Sequence, residues 1–145
     1  MADFWVNAAT GAIYTGDCQP GDAAATDAQV AAMQAAQAAA QIVPQAIASG
    51  ITVTSTSTPA LNGNYACDAE VAGVNLTGII SGLSAGLGLP GGGSTMAYLD
   101  MAGQPHMFTA AQITELASAV RNYIYALDLY AAGQGALPSP NITIP

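Results

Sequence analysis

The stretch "YLDMAGQPHMFTAAQI", residues 98–113, decides how the second half of this chain is read. "TMAYLD" and "PHMF" flank "MAGQ", and two short strands about a Gly-containing turn predict a β-hairpin. Thr109 then precedes Gln112 by three residues, the spacing of a capping box, so a helix begins there. That helix, "AAQITELASAVRNYIYALDLYAA", sets Ile113, Leu116, Val120, Ile124 and Leu127 on one stripe, joined by Tyr123 and Tyr130, and ends at Gly133. Asp100 falls at the turn and His106, the only histidine, on the returning strand. Catalysis would need a nucleophile, an orienting partner and an oxyanion donor, and no motif supplies them. There is no HxH, HExxH or Cys/His cluster to bind a metal. The pair therefore reads as a turn carboxylate and a strand histidine, and no catalytic residue, metal or cofactor is expected.

Arg121 lies on the other face of the helix with Thr114, Ser118, Tyr125 and Asp128. It is the only base among nine acids, so a structural ion pair is expected. The net charge of −8 argues against nucleic acid and anionic membrane, which need Lys and Arg as counter-charges. Only 7% of residues are charged, so the surface is largely Ala, Gly, Ser, Thr, Asn and Gln, which is easily buried against another subunit.

Upstream, residues 68–87, "DAEVAGVNLTGIISGLSAGL", read as a helix from Asp68 with Val71, Val74, Leu76, Ile79, Ile80 and Leu83 as its apolar positions. Its glycines weaken it or admit another backbone. The following "GLPGGGS" is glycine-rich but lacks the Lys-Ser/Thr ending and preceding strand of a phosphate loop. Residues 51–67, "ITVTSTSTPALNGNYAC", predict a hairpin with period-two alternation and a tight turn at Asn62–Gly63. Residues 3–15, "DFWVNAATGAIYT", predict another. "TDAQ" at 26–29 is a second capping box, and its helix runs to about Val43, where Pro44 breaks or kinks it. The apolar stripe of this helix is thin: Val30, Met33, Gln37 and Ala40 at 3-4-3 spacing. Such a stripe suits packing against another helix, a copy of itself included.

The N-terminus has no basic region followed by an apolar one, so no signal peptide is expected. Four glutamines and a proline in residues 30–48 argue against a transmembrane helix. Cys18 and Cys67 read as two small buried thiols, with a disulfide as the alternative and a metal or catalytic role behind both. The tail "LPSPNITIP", 137–145, contains three prolines and an alternating Ile142 and Ile144. It predicts an extended arm that a neighbour's sheet edge completes.

The expected fold is thus α+β. A β-hairpin and an Ala/Gln-rich helix form an attachment region (1–48). A compact domain of β-hairpins with two helices follows (49–133), then the extended arm (134–145). The candidate partner contacts are Val30, Met33, Gln37, Ala40, Ile142 and Ile144.

The run "GITVTSTSTPALNGNYACDAE" followed by "LPGGGSTMAYLDMAGQPHMFTAAQITELASAVRNYIYALDL" resembles a C-terminal domain of tail-fibre and tail-fibre-assembly proteins of tailed bacteriophages. The likeness covers roughly residues 49–130. It rests on "PALNGxYxxD", the D-x-x-G-x-P-H-x-F hairpin, "TAAQ", and a helix ending in Y-x-Y-A-L. The opening "DFWVNAATGAIYTG" is similar to the hairpin that begins many such proteins. The resemblance implies a non-enzymatic structural protein of the virion in the tail fibre, tail tip or baseplate region, assembled in the host cytoplasm. Its partners would be other phage structural proteins and copies of itself. The alternatives are a tail-fibre assembly chaperone and a capsid decoration protein. An enzyme acting on host polysaccharide would want paired carboxylates in an aromatic-lined cleft, and this chain has one Trp and few acids near its aromatics.

Overall fold

A computed structural model describes residues 3–145, so the first two residues of the expected attachment region lie outside the described part. The fold is α+β, with three α-helices and three small sheets among the described residues. The chain divides into two compact units, Met1–Gln41 and Ile42–Pro145.

In the first unit, β1 (Phe4–Val6) and β2 (Ile13–Thr15) form the expected antiparallel hairpin, with Trp5 opposite Tyr14. Asn7 shapes its turn: its side-chain oxygen accepts from the backbone N–H groups of Ala9 and Thr10. A third strand, β3 (Ala23–Ala24), pairs with the other edge of β1. Two alanines carry no strand signal, so β3 was not anticipated. Neighbouring Asp22 holds it in place by accepting from the Ala8 N–H at 2.8 Å and from the Tyr14 hydroxyl.

Helix α1 (Asp27–Ser49) opens with the expected capping box. Gln29 N–H donates to Thr26 Oγ1 at 3.2 Å, and Thr26 N–H donates to Gln29 Oε1 at 2.9 Å. The helix does not stop at Pro44, which lies inside it. Proline removes one donor, and the Ala40 carbonyl it would have served belongs to an exposed residue that water can reach. Val43 just before the proline, and Ala46 and Ile47 past it, pack on the core of the second unit, and that burial holds the last turns together. Gly50 ends the helix at φ +71°.

The second unit builds its core from a three-stranded sheet, a hairpin and two helices. β4 (Ile51–Ser55) alternates as expected: Ile51, Val53 and Ser55 point inward, Thr52 and Thr54 outward. β5 (Gly63–Tyr65) pairs with it antiparallel. The expected tight turn at Asn62–Gly63 is not there. The connection is longer and contains a 3₁₀ turn, Pro59–Leu61. Asn62 is extended (φ −62°, ψ 129°), and its side chain accepts from Ser55 N–H at 2.8 Å, while Gly63 already belongs to β5.

The tail overturns a second expectation. Asn141–Ile144 forms a strand, here β8, paired parallel to β4 in the order β5-β4-β8. The edge that completes it is the chain's own. Ile144 is buried opposite Ser55, whose hydroxyl donates to Pro145 O at 2.8 Å and accepts from Thr58 N–H at 3.0 Å.

β6 (Thr95–Leu99) and β7 (Pro105–Thr109) make the hairpin read from residues 98–113. α3 (Ala110–Ala131) follows at once, with both capping-box bonds of Thr109 and Gln112 formed. Ile113, Leu116, Val120 and Leu127 of the expected stripe are buried, and Tyr123 rather than Ile124 completes the buried set. A π-turn (Ala69–Gly73) precedes α2 (Val74–Ser84), and the Asp68 carboxylate caps it by accepting from Val71 N–H at 2.7 Å. Leu76 is the buried residue of α2. Val71 and Val74, expected on its apolar face, are exposed. At the centre, Tyr65 meets Phe108 edge to face, ring centroids 5.8 Å apart, and its hydroxyl donates to Leu61 O at 2.6 Å.

Candidate functional site

The six candidate contact residues separate into two groups with different fates. Val30, Met33, Gln37 and Ala40 lie on the first-unit part of α1. Val30 and Met33 are half-buried, Gln37 and Ala40 exposed, and between Asp27 and Gln41 only Ala39 is buried. This stretch lies open along most of its circumference, and only Asp27 in it carries a charge. Val30 also borders a shallow groove of about 350 Å³ with Phe4, Trp5 and Ala31. By contrast, Ile142 and Ile144 sit on β8 within the second unit. Ile144 packs in the core and Ile142 against it, so both side chains are engaged within the chain, on a strand that forms one edge of its sheet.

Arg121 does not form the expected ion pair. It is exposed, and the one ion pair among the described residues is His106–Asp100. Its helical neighbours at i±3 and i±4 are Ser118, Ala117, Ile124 and Tyr125, none acidic. Asp128, seven residues on, is about 10 Å further along the axis.

Cys18 is exposed, not buried as expected, and Cys67 is buried; both are free thiols. Burial, then the Asp68 charge, pushes the Cys67 thiol up, and its Sγ–H faces Ile47 O at 3.4 Å.

The most closely knit polar group is built around His106. Tyr98 lies opposite it across the hairpin, and Asp100 sits at the turn. His106 Nε2 is 3.1 Å from Asp100 Oδ2, and Nδ1 is 2.7 Å from the Ala60 carbonyl in the β4–β5 connection. The ring packs edge-on against Tyr65, centroids 5.5 Å apart. The other Asp100 oxygen accepts from the Ala102 and Gln104 N–H groups at 2.9 and 2.8 Å. The His106 hydrogen bond first, then these amides, hold the Asp100 carboxyl below its ordinary range. The Ala60 carbonyl first, and the Asp100 carboxylate second, raise His106 above its ordinary value. Asp100 and His106 do stand at the turn and on the returning strand. Their hydrogen bond, and the reach to Ala60 46 residues earlier in the chain, carried no sequence signal.

Among the described residues no three His, Cys, Asp or Glu side chains cluster as metal ligands, and no helix is long and apolar enough to cross a membrane. Comparison with protein-family models, curated proteins and solved structures returns no match.

Proposed function

We propose that this chain is a structural, non-enzymatic component of a tailed bacteriophage particle, in the tail fibre, tail tip or baseplate region, acting through protein–protein contacts. One observation carries the contact-making part of this reading: the open first half of α1. An Ala/Gln helix with a thin apolar stripe gains little from a core of its own and more from a second helix that approaches closely. The chain bears a charge of −8, yet residues 28–67 contain no charged side chain. Copies can therefore meet along this face without facing like charges. The phage assignment itself rests on the resemblance of residues 49–130 to tail-fibre and tail-fibre-assembly proteins.

Quantitative mass spectrometry of purified particles, separated into head and tail fractions, tests the assignment. A fixed stoichiometric amount in the tail fraction is the expected result. Presence in the infected cell but not in particles assigns an assembly chaperone instead, and presence in the head fraction a decoration protein.

A further inference from the structure

We infer that His106 is a doubly donating imidazolium latch, which ties the β4–β5 connection to the β6–β7 hairpin and loosens when the ring loses its proton, because the neutral ring can keep only one of the two bonds. Both ring nitrogens face an oxygen that accepts: Nδ1 the Ala60 carbonyl at 2.7 Å, Nε2 the Asp100 carboxylate at 3.1 Å. A neutral imidazole has one N–H and one lone pair, so either tautomer would aim a lone pair at an acceptor. Only the protonated ring satisfies both. The alternative of a protonated Asp100 donating to the ring is disfavoured, because two backbone N–H groups already hold its other oxygen as a carboxylate.

The surroundings keep the latch specific. The titratable groups facing the ring are Asp100 from the turn, Tyr65 from β5 and Tyr98 from β6, with no basic side chain among them. Tyr65 spends its hydroxyl on Leu61 O, and burial pushes both the Tyr65 and Tyr98 phenols up, so neither offers a competing anion near neutral pH. The side chains of His106 and Asp100 are only 13% and 11% exposed, which limits screening of the pair by water. Gly63 leaves room for it: a Cβ there would lie 3.3 Å from His106 Nε2 and 3.4 Å from Asp100 Oδ2.

The sign of the pH effect follows from the two shifts. His106 is raised, so its contribution is complete below the ordinary value of 6.5 and is lost as pH climbs through the higher folded value. Asp100 is lowered, so its contribution is complete above 3.8 and is lost as pH falls through the lower folded value. Between those ordinary values the latch is fully closed. Above them the connection keeps a second tie that does not titrate, the bond from Gln112 Nε2 to Thr58 Oγ1 at 3.0 Å. Release is therefore local: it loosens the Pro59–Leu61 turn and leaves α3 in place.

Nitrogen-15 NMR of the full chain tests this without a variant, because His106 is the only histidine and its ring signals are unambiguous. The expected result is two protonated ring nitrogens at pH 6.5 and a midpoint above the ordinary value. Amide exchange, normalised to intrinsic rates, should show protection of Leu61 and Asn62 falling about tenfold as the ring titrates, the scale of one charge-assisted hydrogen bond. Val120 in α3 should keep its protection. In His106→Gln the pH-dependent step should vanish, and in Asp100→Asn the midpoint should drop. A single neutral tautomer at pH 6.5, a midpoint at or below 6.5, or a Leu61 protection ratio independent of pH would overturn the proposal.

Discussion

At the scale of single residues, stability in the second unit depends on groups that have one place to go. Gly50 is one. It adopts φ +71°, and a Cβ there would run into the Tyr65 carbonyl and lie 2.5 Å from the Met101 sulfur. Gly50→Ala is expected to lose more than about 1–2 kcal/mol in urea unfolding, from the left-handed backbone plus the backbone clash. Ser55 is another. Its buried hydroxyl bonds both Pro145 O and Thr58 N–H, so Ser55→Ala strands two polar groups and should cost about 1–3 kcal/mol. A loss below about 0.5 kcal/mol would mean that water replaces the hydroxyl. His106 and Asp100 add a pH term of known sign. The melting temperature should decline as pH rises above 6.5, and this decline should be shallower in His106→Gln.

At the scale of elements, the C-terminal strand shows how far a local reading reaches. Three prolines and an Ile-x-Ile alternation describe an extended chain but do not say which edge it joins. In the fold β8 closes on β4, and Ile144 enters the core. Removing residues 136–145 is therefore expected to lower the melting temperature and the urea midpoint clearly, since it uncovers an edge of β4 and removes a buried isoleucine. Ile144→Ala alone should cost about 2–5 kcal/mol. An unchanged midpoint after truncation would show that β8 is not part of the stable sheet. Pro44 carries the same lesson. Helix propensity argues for a stop, but Val43 before it and Ala46 and Ile47 beyond it are held by the core, and the helix continues.

At the scale of the whole molecule, α3 anchors the second unit. Leu116 is fully buried at the middle of its stripe. Leu116→Ala should cost about 2–5 kcal/mol, and a loss under about 0.5 kcal/mol would show that this face is not core. The first unit has a different task in the proposed function. If α1 meets a second copy through its open face, Gln37→Glu sets like charges against each other and should shift sedimentation toward monomer. In the unaltered chain, added salt should leave association nearly constant, because no charged pair holds that face. Monomer at all concentrations in the unaltered chain would end the self-association reading.

Residue types and their intervals were enough for features that depend on neighbours three or four residues away, or on a strict period. Both capping boxes formed as read, because Thr26–Gln29 and Thr109–Gln112 satisfy their own backbone within one turn. The hairpin at 95–109, the inward face of β4 and most of the α3 stripe followed from spacing, since side-chain direction is set by backbone period. Features that depend on meeting a distant part of the chain were set by the folded arrangement. Asn62–Gly63 carries a tight-turn signal, yet Asn62 bonds Ser55 N–H and Gly63 lies beside His106 and Asp100. Arg121 had acids in the sequence but none within a turn of its helix. The Ala60 carbonyl that completes the His106 latch belongs to a backbone group, which has no residue-type signature. Local hydrogen bonds are written in residue types and intervals, whereas long-range partners are chosen by which surfaces the whole chain can bury together.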